Sequence, residues 1–297
     1  MKTGVIFCFS GTGNTRWVSE RLSEDLDTVG YNVRLLDIED FLSHDSQDTG
    51  GLSDVIDSAD HIGIAFPVHA FNAPSIVFDF IDRLPDLSAN PKFTFLYRTS
   101  GDPFINGGTT RFVRKRLADK GYVVRLERLF IMPSNIVISF PHPLIKQLYR
   151  IAEDHSRLFA DQVRAEEYSL HGDSKVVAIF SRIITKVESW GARVAGRHFR
   201  TTGACTFCGK CTDDCPTGNI HDDGERLEFQ DRCILCMRCI YRCPSSSLVN
   251  PYLKFFVLTE GYDNDPILSD ASIPEDYLTL QTRGYYKRYV KFLDLRR

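Results

Sequence analysis

Eight of the nine cysteines in this 297-residue chain lie between residues 205 and 243, and this crowding constrains the fold more than any other feature. They form two runs, CTFCGKCTDDCP and CILCMRCIYRCP, which share the spacing C-x2-C-x2-C-x3-C-P. The chain begins with an apolar run too short for a signal peptide, so we expect a cytoplasmic protein whose thiols stay reduced. Clustered cysteines in that compartment are typical of metal ligands rather than of disulfides.

The spacing within each run favours an iron–sulfur cube. Two residues between successive cysteines let the chain wrap one face of the cube, so that three thiolates reach three irons. The pattern is similar to that of bacterial ferredoxins, small α+β domains that hold two 4Fe–4S clusters and transfer single electrons. That resemblance implies crossed ligation, in which the fourth cysteine of each run binds the cluster of the other run. One cluster is then bound by Cys205, Cys208, Cys211 and Cys243, and the second by Cys215, Cys233, Cys236 and Cys239.

Structural zinc and a disulfide framework are the alternatives for these cysteines. Zinc sites use paired cysteines, and two quartets that each end in proline exceed what a zinc ribbon needs. Disulfides are rare in the reducing compartment expected here. The ninth cysteine, Cys8, lies in an apolar strand without a partner in the sequence, and we interpret it as an inert core thiol.

A glycine-rich stretch, FSGTGNT at residues 9–15, forms the second motif of the chain. It follows an apolar strand and precedes a helical pattern, so the free N–H groups and the positive end of the helix dipole favour an anion there. A Walker loop requires a lysine that is absent, and a dinucleotide fingerprint requires glycine where Arg16 stands. The candidate phosphate-binding residues are Ser10, Gly11, Thr12, Gly13, Asn14 and Thr15.

The pattern S-x-T-G-N-T resembles the FMN phosphate loop of flavodoxins. The resemblance implies an FMN site at the carboxyl ends of the strands of a doubly wound sheet, with two further loops beside the flavin ring. In the loop after the third strand it implies Pro67, Val68, His69, Ala70, Phe71 and Asn72. In the loop after the fourth strand it implies Thr99, Ser100, Gly101, Asp102, Phe104 and Asn106. The alternative is a glycine-rich turn without a ligand, in which Phe71 and Phe104 serve ordinary packing.

Hydrophobic periodicity predicts the same fold class. Apolar strands alternate with helical patterns: strands at 3–9, 31–38, 61–68, 92–100 and 122–132, helices at 14–28, 52–58, 73–84 and 108–120. This alternation predicts an α/β fold with a parallel five-stranded sheet. We expect four segments: a flavodoxin-like FMN-binding domain at 1–140, a helical connector packing on the domains at 141–200, a two-cluster ferredoxin domain at 201–250 and a C-terminal extension at 251–297.

Charge and hydropathy argue against two classes of partner. The net charge of −3 gives no electrostatic reason to expect nucleic acid. The apolar run at 176–184 is too short to span a membrane and contains Arg182. We therefore expect neither nucleic-acid binding nor a membrane span.

The two halves together resemble the flavodoxin–ferredoxin fusion proteins of anaerobes. That resemblance implies an electron-transfer iron–sulfur flavoprotein, which passes electrons between FMN, two 4Fe–4S clusters and a redox protein such as a ferredoxin-like donor or acceptor, or an oxidoreductase. One alternative is an FMN-dependent reductase of a small acceptor, such as a quinone or free flavin, fed by the clusters. Another is a flavin-free iron–sulfur scaffold or sensor. The sequence singles out no catalytic residue.

Overall fold

The computed structural model describes residues 1–42, 49–69, 71–103, 110–170 and 175–293. Its centre is a parallel sheet with strands β1 (Lys2–Cys8), β2 (Tyr31–Asp37), β3 (His61–Pro67), β4 (Lys92–Ser100) and β5 (Tyr122–Ile131). The strands are hydrogen-bonded in the order β2-β1-β3-β4-β5. This is the flavodoxin-like order, in which the winding direction reverses between β1 and β3. The predicted five-stranded parallel sheet is confirmed.

Helices cover both faces of the sheet, as strands that are apolar on both sides require. They are α1 (Asn14–Thr28), α2 (Thr49–Ser58), α3 (Ser75–Arg83), α4 (Arg111–Ala118) and α5 (His142–Arg164), with a 3-10 helix at Ile38–Phe41. One buried cluster joins the sheet to α1 and α5 and includes Leu22 and Leu148. A second cluster lies on the opposite face and includes Phe80 of α3 and Val113 of α4. The carboxyl ends of the strands lie between these two layers and carry the loops described below.

The segment predicted as a connector contains two helices with different contacts. Helix α5 lies against α1, where the rings of Trp17 and Tyr149 meet edge to face at 4.7 Å. It therefore completes the sheet domain. Helix α6 (Lys175–Gly196) ends against the cysteine-rich segment, where Asn250 Nδ2 donates to the carbonyl of Ala195 at 2.8 Å. Apolar spacing predicts both helices, but it does not reveal which surface each one buries.

The cysteine-rich segment is a small α+β unit with an internal repeat. Its elements are β6 (Arg200–Thr201), α7 (Lys210–Asp213), β7 (Ile220–Asp222), β8 (Leu227–Phe229), α8 (Arg238–Tyr241) and β9 (Leu248–Val249). Strands β6 and β9 pair antiparallel, as do β7 and β8. The two runs adopt left-handed backbone at matching positions, with positive φ at Phe207 and Leu235, at Gly209 and Met237, and at Gly218 and Ser246. Left-handed φ is unfavourable for the non-glycine residues, so the same path around the cysteines is imposed twice by the surrounding structure.

The C-terminal segment returns to the sheet domain. It contains α9 (Asp265–Ser269), a 3-10 helix at Gly284–Tyr286 and α10 (Lys287–Phe292). Gln147 of α5 donates to the carbonyl of Leu278 at 3.0 Å and accepts from its N–H at 2.6 Å. Tyr289 is fully buried in the same cluster as α1 and α5. Within the described ranges, none of the helices is both apolar enough and long enough for a membrane crossing.

Candidate functional site

The eight clustered cysteines surround two separate cavities. One, the Cys243 cavity, is lined by Cys205, Cys208, Cys211 and Cys243. The other, the Cys215 cavity, is lined by Cys215, Cys233, Cys236 and Cys239. The fold thus groups the fourth cysteine of each run with the first three cysteines of the other run. Two quartets of thiols around separate cavities are the donor set that a pair of 4Fe–4S clusters requires.

Hydrogen-bond donors point at the sulfur atoms in both cavities. The N–H of Asn219 lies 3.2 Å from Cys215 Sγ, and the N–H of Ser247 lies 3.4 Å from Cys243 Sγ. Donors of this kind stabilise ligating thiolates and influence the cluster potential. Burial raises the pKa of Cys233 to about 12. At Cys243 burial also raises the pKa, but donors from Ser247 and Ser245 outweigh it and lower the value to about 7. Because iron binds thiolates, the metal must displace these protons.

The glycine-rich loop presents a set of backbone donors. Gly13, with φ of 109°, precedes α1, and its N–H donates to Ser10 Oγ at 3.2 Å. Among the described residues, none accepts a hydrogen bond from the N–H groups of Gly11, Thr12, Asn14 or Thr15. Free donors at the start of a helix are the environment that a phosphate group satisfies. The loop therefore fits the phosphate of FMN on the chemistry of its donors.

Side chains of the same loop are held by the protein. Thr15 Oγ1 and Thr99 Oγ1, both buried, lie 2.7 Å apart. Thr12 Oγ1 accepts from Asn135 Nδ2 at 2.8 Å. Asn14 Nδ2 donates to the carbonyl of Pro133 at 2.9 Å, and Asn14 Oδ1 accepts from the hydroxyl of Tyr262 at 2.8 Å. These bonds fix the shape of the loop, so its backbone donors are preorganised for an anion.

The second cysteine run packs directly on the outer side of this loop. A Cβ built on Gly11 would lie 2.6 Å from the carbonyl oxygen of Cys236, so only glycine fits there. Arg238 donates to the carbonyls of Ser10 and Gly11. In a trans peptide the N–H points away from the C=O, so the free donors of Gly11 and Thr12 face away from Arg238. The cysteine run and the candidate phosphate site therefore lie on opposite sides of one loop.

Arg238 is the principal charge at this contact. Its guanidinium pairs with Glu39, donates to the carbonyl of Asp214 at 3.1 Å and lies 5.8 Å from the ring centre of Phe9. Burial lowers the pKa of Arg238, but the Glu39 carboxylate outweighs it, so the pKa is raised. Burial raises the pKa of Glu39, and Arg238 opposes that rise. The sequence analysis did not single out Arg238 or Glu39. A single arginine between two cysteines does not indicate which distant residue it pairs with.

The loop after β3 contributes to the same contact. His69 and Asn72 exchange backbone hydrogen bonds at 2.8 Å, and Phe71 between them has φ of 67°. Burial lowers the pKa of His69 to about 4, against a hydrogen bond with the Ile234 backbone that raises it. The imidazole is therefore neutral near pH 7 and joins the β3 loop to the second cysteine run. Pro67 ends β3, and Val68 N–H donates to the carbonyl of Thr99. Ala70 lies outside the described residues.

The loop after β4 is covered by the C-terminal segment. The hydroxyl of Tyr289 donates to the carbonyl of Gly101 at 2.6 Å, and the hydroxyl of Tyr285 donates to Asp102 Oδ2 at 3.0 Å. Arg288 forms an ion pair with Asp102. Ser100 Oγ donates to the carbonyl of Asp102, while Phe104 and Asn106 lie outside the described residues. The sequence predicts only a C-terminal extension at 251–297 and no contact between that extension and this loop.

A cleft of about 1090 Å³ lies between α3, α6 and the second cysteine run. Its lining includes Cys215 and Cys233, so it opens beside the Cys215 cavity. Acidic and basic side chains form part of the remaining wall, among them Asp40, Asp79 and Glu188. Burial raises the pKa of Glu188 to about 7, so this carboxyl holds a proton over part of the neutral range.

Two comparisons with known proteins returned similar proteins, and a third returned none. A family model described as a 4Fe–4S dicluster domain matches residues 198–251. No curated protein matches the chain. Among solved structures, the general stress protein 14 of Treponema denticola in complex with FMN is 12% identical, with a TM-score of 0.44, covering 56% of this chain and 100% of that one. A flavodoxin from the domain Archaea is 13% identical, with a TM-score of 0.36, covering 55% and 99%. A flavone reductase is 15% identical, with a TM-score of 0.44, covering 77% and 81%.

The strand order and the matched domain define the class of protein. The chain joins a flavodoxin-like parallel sheet to a 4Fe–4S dicluster domain. It is thus built as a flavodoxin–ferredoxin fusion, with α5 and the C-terminal segment packed on the sheet domain.

Proposed function

We propose that this chain is an electron-transfer iron–sulfur flavoprotein with FMN at the glycine-rich loop and a 4Fe–4S cluster in each cysteine cavity. FMN would supply one- or two-electron chemistry, and the clusters would supply single-electron transfer. The free N–H groups of Gly11, Thr12, Asn14 and Thr15 hold the phosphate. The donors at the cysteine sulfurs hold the clusters in their ligated form.

The contact between Cys236 and Gly11 carries this proposal. Cys236, which lines the Cys215 cavity, packs against Gly11 of the candidate phosphate loop. Only the backbone of that loop separates Cys236 from the free N–H groups on its other side. Two sites with unrelated functions would not require this packing of a candidate cluster ligand, Cys236, against the phosphate loop at Gly11. Because both centres lie in one polypeptide, transfer between them does not depend on collision.

The two cavities have different places in the proposed path. The Cys215 cavity adjoins the glycine-rich loop through Cys236 and Arg238. The Cys243 cavity includes Cys208, an exposed cysteine, and next to it Phe207 is 47% exposed. We assign the exchange of electrons with an external redox protein to the Cys243 cavity, and transfer to the sheet domain to the Cys215 cavity.

The cleft beside Cys215 and Cys233 favours a second candidate, a reductase of a small acceptor. It provides room for a polar molecule next to a cluster, and Glu188 provides a proton source at its wall. The two functions differ in their acceptors. A carrier exchanges electrons rapidly with ferredoxin-like proteins only, whereas a reductase turns over a small quinone and loses rate in E188Q.

The flavin part of the proposal is tested by T12E. A carboxylate in a loop built for an anion repels phosphate, so we expect the flavin content per chain to fall to near zero. The iron content stays unchanged, because Thr12 Oγ1 accepts from Asn135 and, among the described residues, Thr12 forms no hydrogen bond with a cysteine. The control is T28E at the exposed end of α1, which keeps both cofactors. Full flavin retention in T12E assigns the flavin to another site and contradicts the proposal.

A further inference from the structure

The two cysteine runs carry a cation at the same position, and these two cations have different surroundings. Lys210 follows Gly209 in the first run, and Arg238 follows Met237 in the second, each directly before the third cysteine. The Lys210 side chain is 51% exposed, whereas the Arg238 side chain is only 13% exposed. Water screens the charge of Lys210, but a buried charge acts through a medium of low dielectric constant. The two runs therefore carry the same charge at this position, but the charge of Arg238 is screened less by water than the charge of Lys210.

We propose that Arg238 raises the reduction potential of the cluster in the Cys215 cavity above that of the cluster in the Cys243 cavity. Arg238 thereby acts as a positioning residue. It favours the reduced form of the cluster that lies next to the glycine-rich loop. This inference rests on the proposed function for the presence of the clusters. It adds the residue that makes their reduction potentials unequal.

The position of the guanidinium favours the Cys215 cavity. Arg238 lies between the ligands Cys236 and Cys239 in the chain, and its guanidinium donates to the carbonyl of Asp214, the residue before Cys215. The guanidinium thus interacts with the charge of Cys236 and binds the peptide that precedes Cys215, and both cysteines line the same cavity. Reduction adds one negative charge to a cluster, and a fixed cation nearby stabilises the reduced form more than the oxidised form.

Glu39 provides the opposite charge of the same pair. It lies just past the end of β2, in the sheet domain, and reaches Arg238 across the contact between the domains. Removing the Glu39 charge takes away the carboxylate that pairs with Arg238, whereas removing the Arg238 charge leaves the Glu39 carboxylate without that cation. The two neutral variants are therefore expected to move one potential in opposite directions.

The same guanidinium also supports the loop. It donates to the carbonyls of Ser10 and Gly11, and the peptide units of those carbonyls carry the free N–H groups of Gly11 and Thr12. Hydrogen-bonded chains polarise one another, so these N–H groups become better donors. R238K keeps the charge and loses the planar fork, which separates the two roles.

The test is an anaerobic redox titration of the full chain with its cofactors, followed by EPR, on wild type, R238Q, R238K, E39Q and K210Q. The signals are assigned with C215A and C208A, each of which removes one cluster. We expect R238Q to shift the Cys215-cavity cluster to a more negative potential and E39Q to shift it to a more positive one. R238K retains most of the wild-type potential and binds flavin less tightly. K210Q shifts the Cys243-cavity cluster by a smaller amount.

Equal shifts in R238Q and K210Q, or shifts of the same sign in R238Q and E39Q, overturn the inference. If R238Q loses iron, the sign of the E39Q shift and the retained potential of R238K decide the question. A preparation with clusters and no flavin would refute the proposed function and still report both potentials, so the two failures are distinguishable.

Discussion

Cysteine side chains in this protein differ in what surrounds their sulfur. Cys8 is fully buried in β1, and its Sγ accepts from Ser19 Oγ at 3.3 Å. Burial raises its pKa to about 12, so it remains a thiol, as expected for a core residue. Cys215 lies on a cavity shared with three other cysteines and accepts a backbone N–H. Its sulfur therefore has the donors and neighbours of a cluster ligand.

Crossed ligation predicts the result of C215A. The variant should lose the cluster of Cys233, Cys236 and Cys239 and retain the cluster of the Cys243 cavity, so about half of the iron remains. Iron and sulfide analysis with EPR measures this. C8A serves as the control and keeps all of its iron. Loss of the Cys243-cavity signal in C215A would show that each run binds its own cluster.

A pH dependence is expected at His155 of α5. Burial and the nearby Arg128 lower the pKa of His155 to about 4, below the ordinary value of 6.5. As the pH falls below 6.5, the unfolded chain binds a proton that the folded chain does not, so stability decreases toward pH 4. H155Q should reduce the loss of unfolding free energy between about pH 7 and pH 5.5 by about 1 kcal/mol. Urea unfolding at both pH values measures it, and H142Q, at the exposed start of α5, should match wild type.

At the scale of elements, the turn between β1 and α1 makes different contacts on its two sides. Its inner side carries free N–H groups, and its outer side meets α8 and the residues before it. Ile234 and Cys236 pack against the core cluster on the α3 and α4 face of the sheet. The turn is thus both a candidate ligand site and a domain interface, which explains why a glycine is needed at position 11.

G11A tests the interface. An added Cβ would approach the Cys236 carbonyl to 2.6 Å, so the cysteine run must move away from the loop. We expect faster hydrogen exchange at residues 9–15 and 233–239, with a loss of about 1–3 kcal/mol in unfolding free energy. G203A is the matched control, because nothing lies within 4 Å of its added Cβ. Equal exchange in the two variants would contradict the close contact.

Local pattern was sufficient for most elements and insufficient for their contacts. The five strands and the helix from Asn14 to Thr28 follow the predicted positions to within about two residues, because periodicity and turn residues are local signals. The grouping of Cys215 with the second run came from a family pattern. Arg238 on Gly11 and Tyr285 on Asp102 join residues far apart in the chain, and no local signal encodes such pairs. Local pattern therefore predicted the secondary-structure elements better than the contacts between them.

At the scale of the whole molecule, the sheet domain is built from both ends of the described chain. Gln147 ties α5 to Leu278, and Tyr289 fills the cluster formed by α1 and α5. The cysteine-rich segment lies between these parts in sequence and contacts the sheet through Arg238 and Ile234. Loosening the tail is therefore expected to destabilise the sheet domain itself.

Q147A tests this dependence. It leaves the buried N–H and C=O of Leu278 unpaired, at a cost of about 1–3 kcal/mol for each group. We expect a loss of about 2–6 kcal/mol in urea unfolding, with the cluster content unchanged. Q281A, an exposed glutamine of the same tail, should change stability by no more than about 0.5 kcal/mol. A small effect of Q147A would mean that the tail contributes little to the core.

The return of the tail to the sheet makes the cysteine-rich segment an insertion within one folding unit. The ribosome synthesises all nine cysteines before Tyr289, so the core cluster that contains Tyr289 is still incomplete when the cysteines emerge. The cysteine-rich segment is therefore complete in the nascent chain before α10 can pack on the sheet domain.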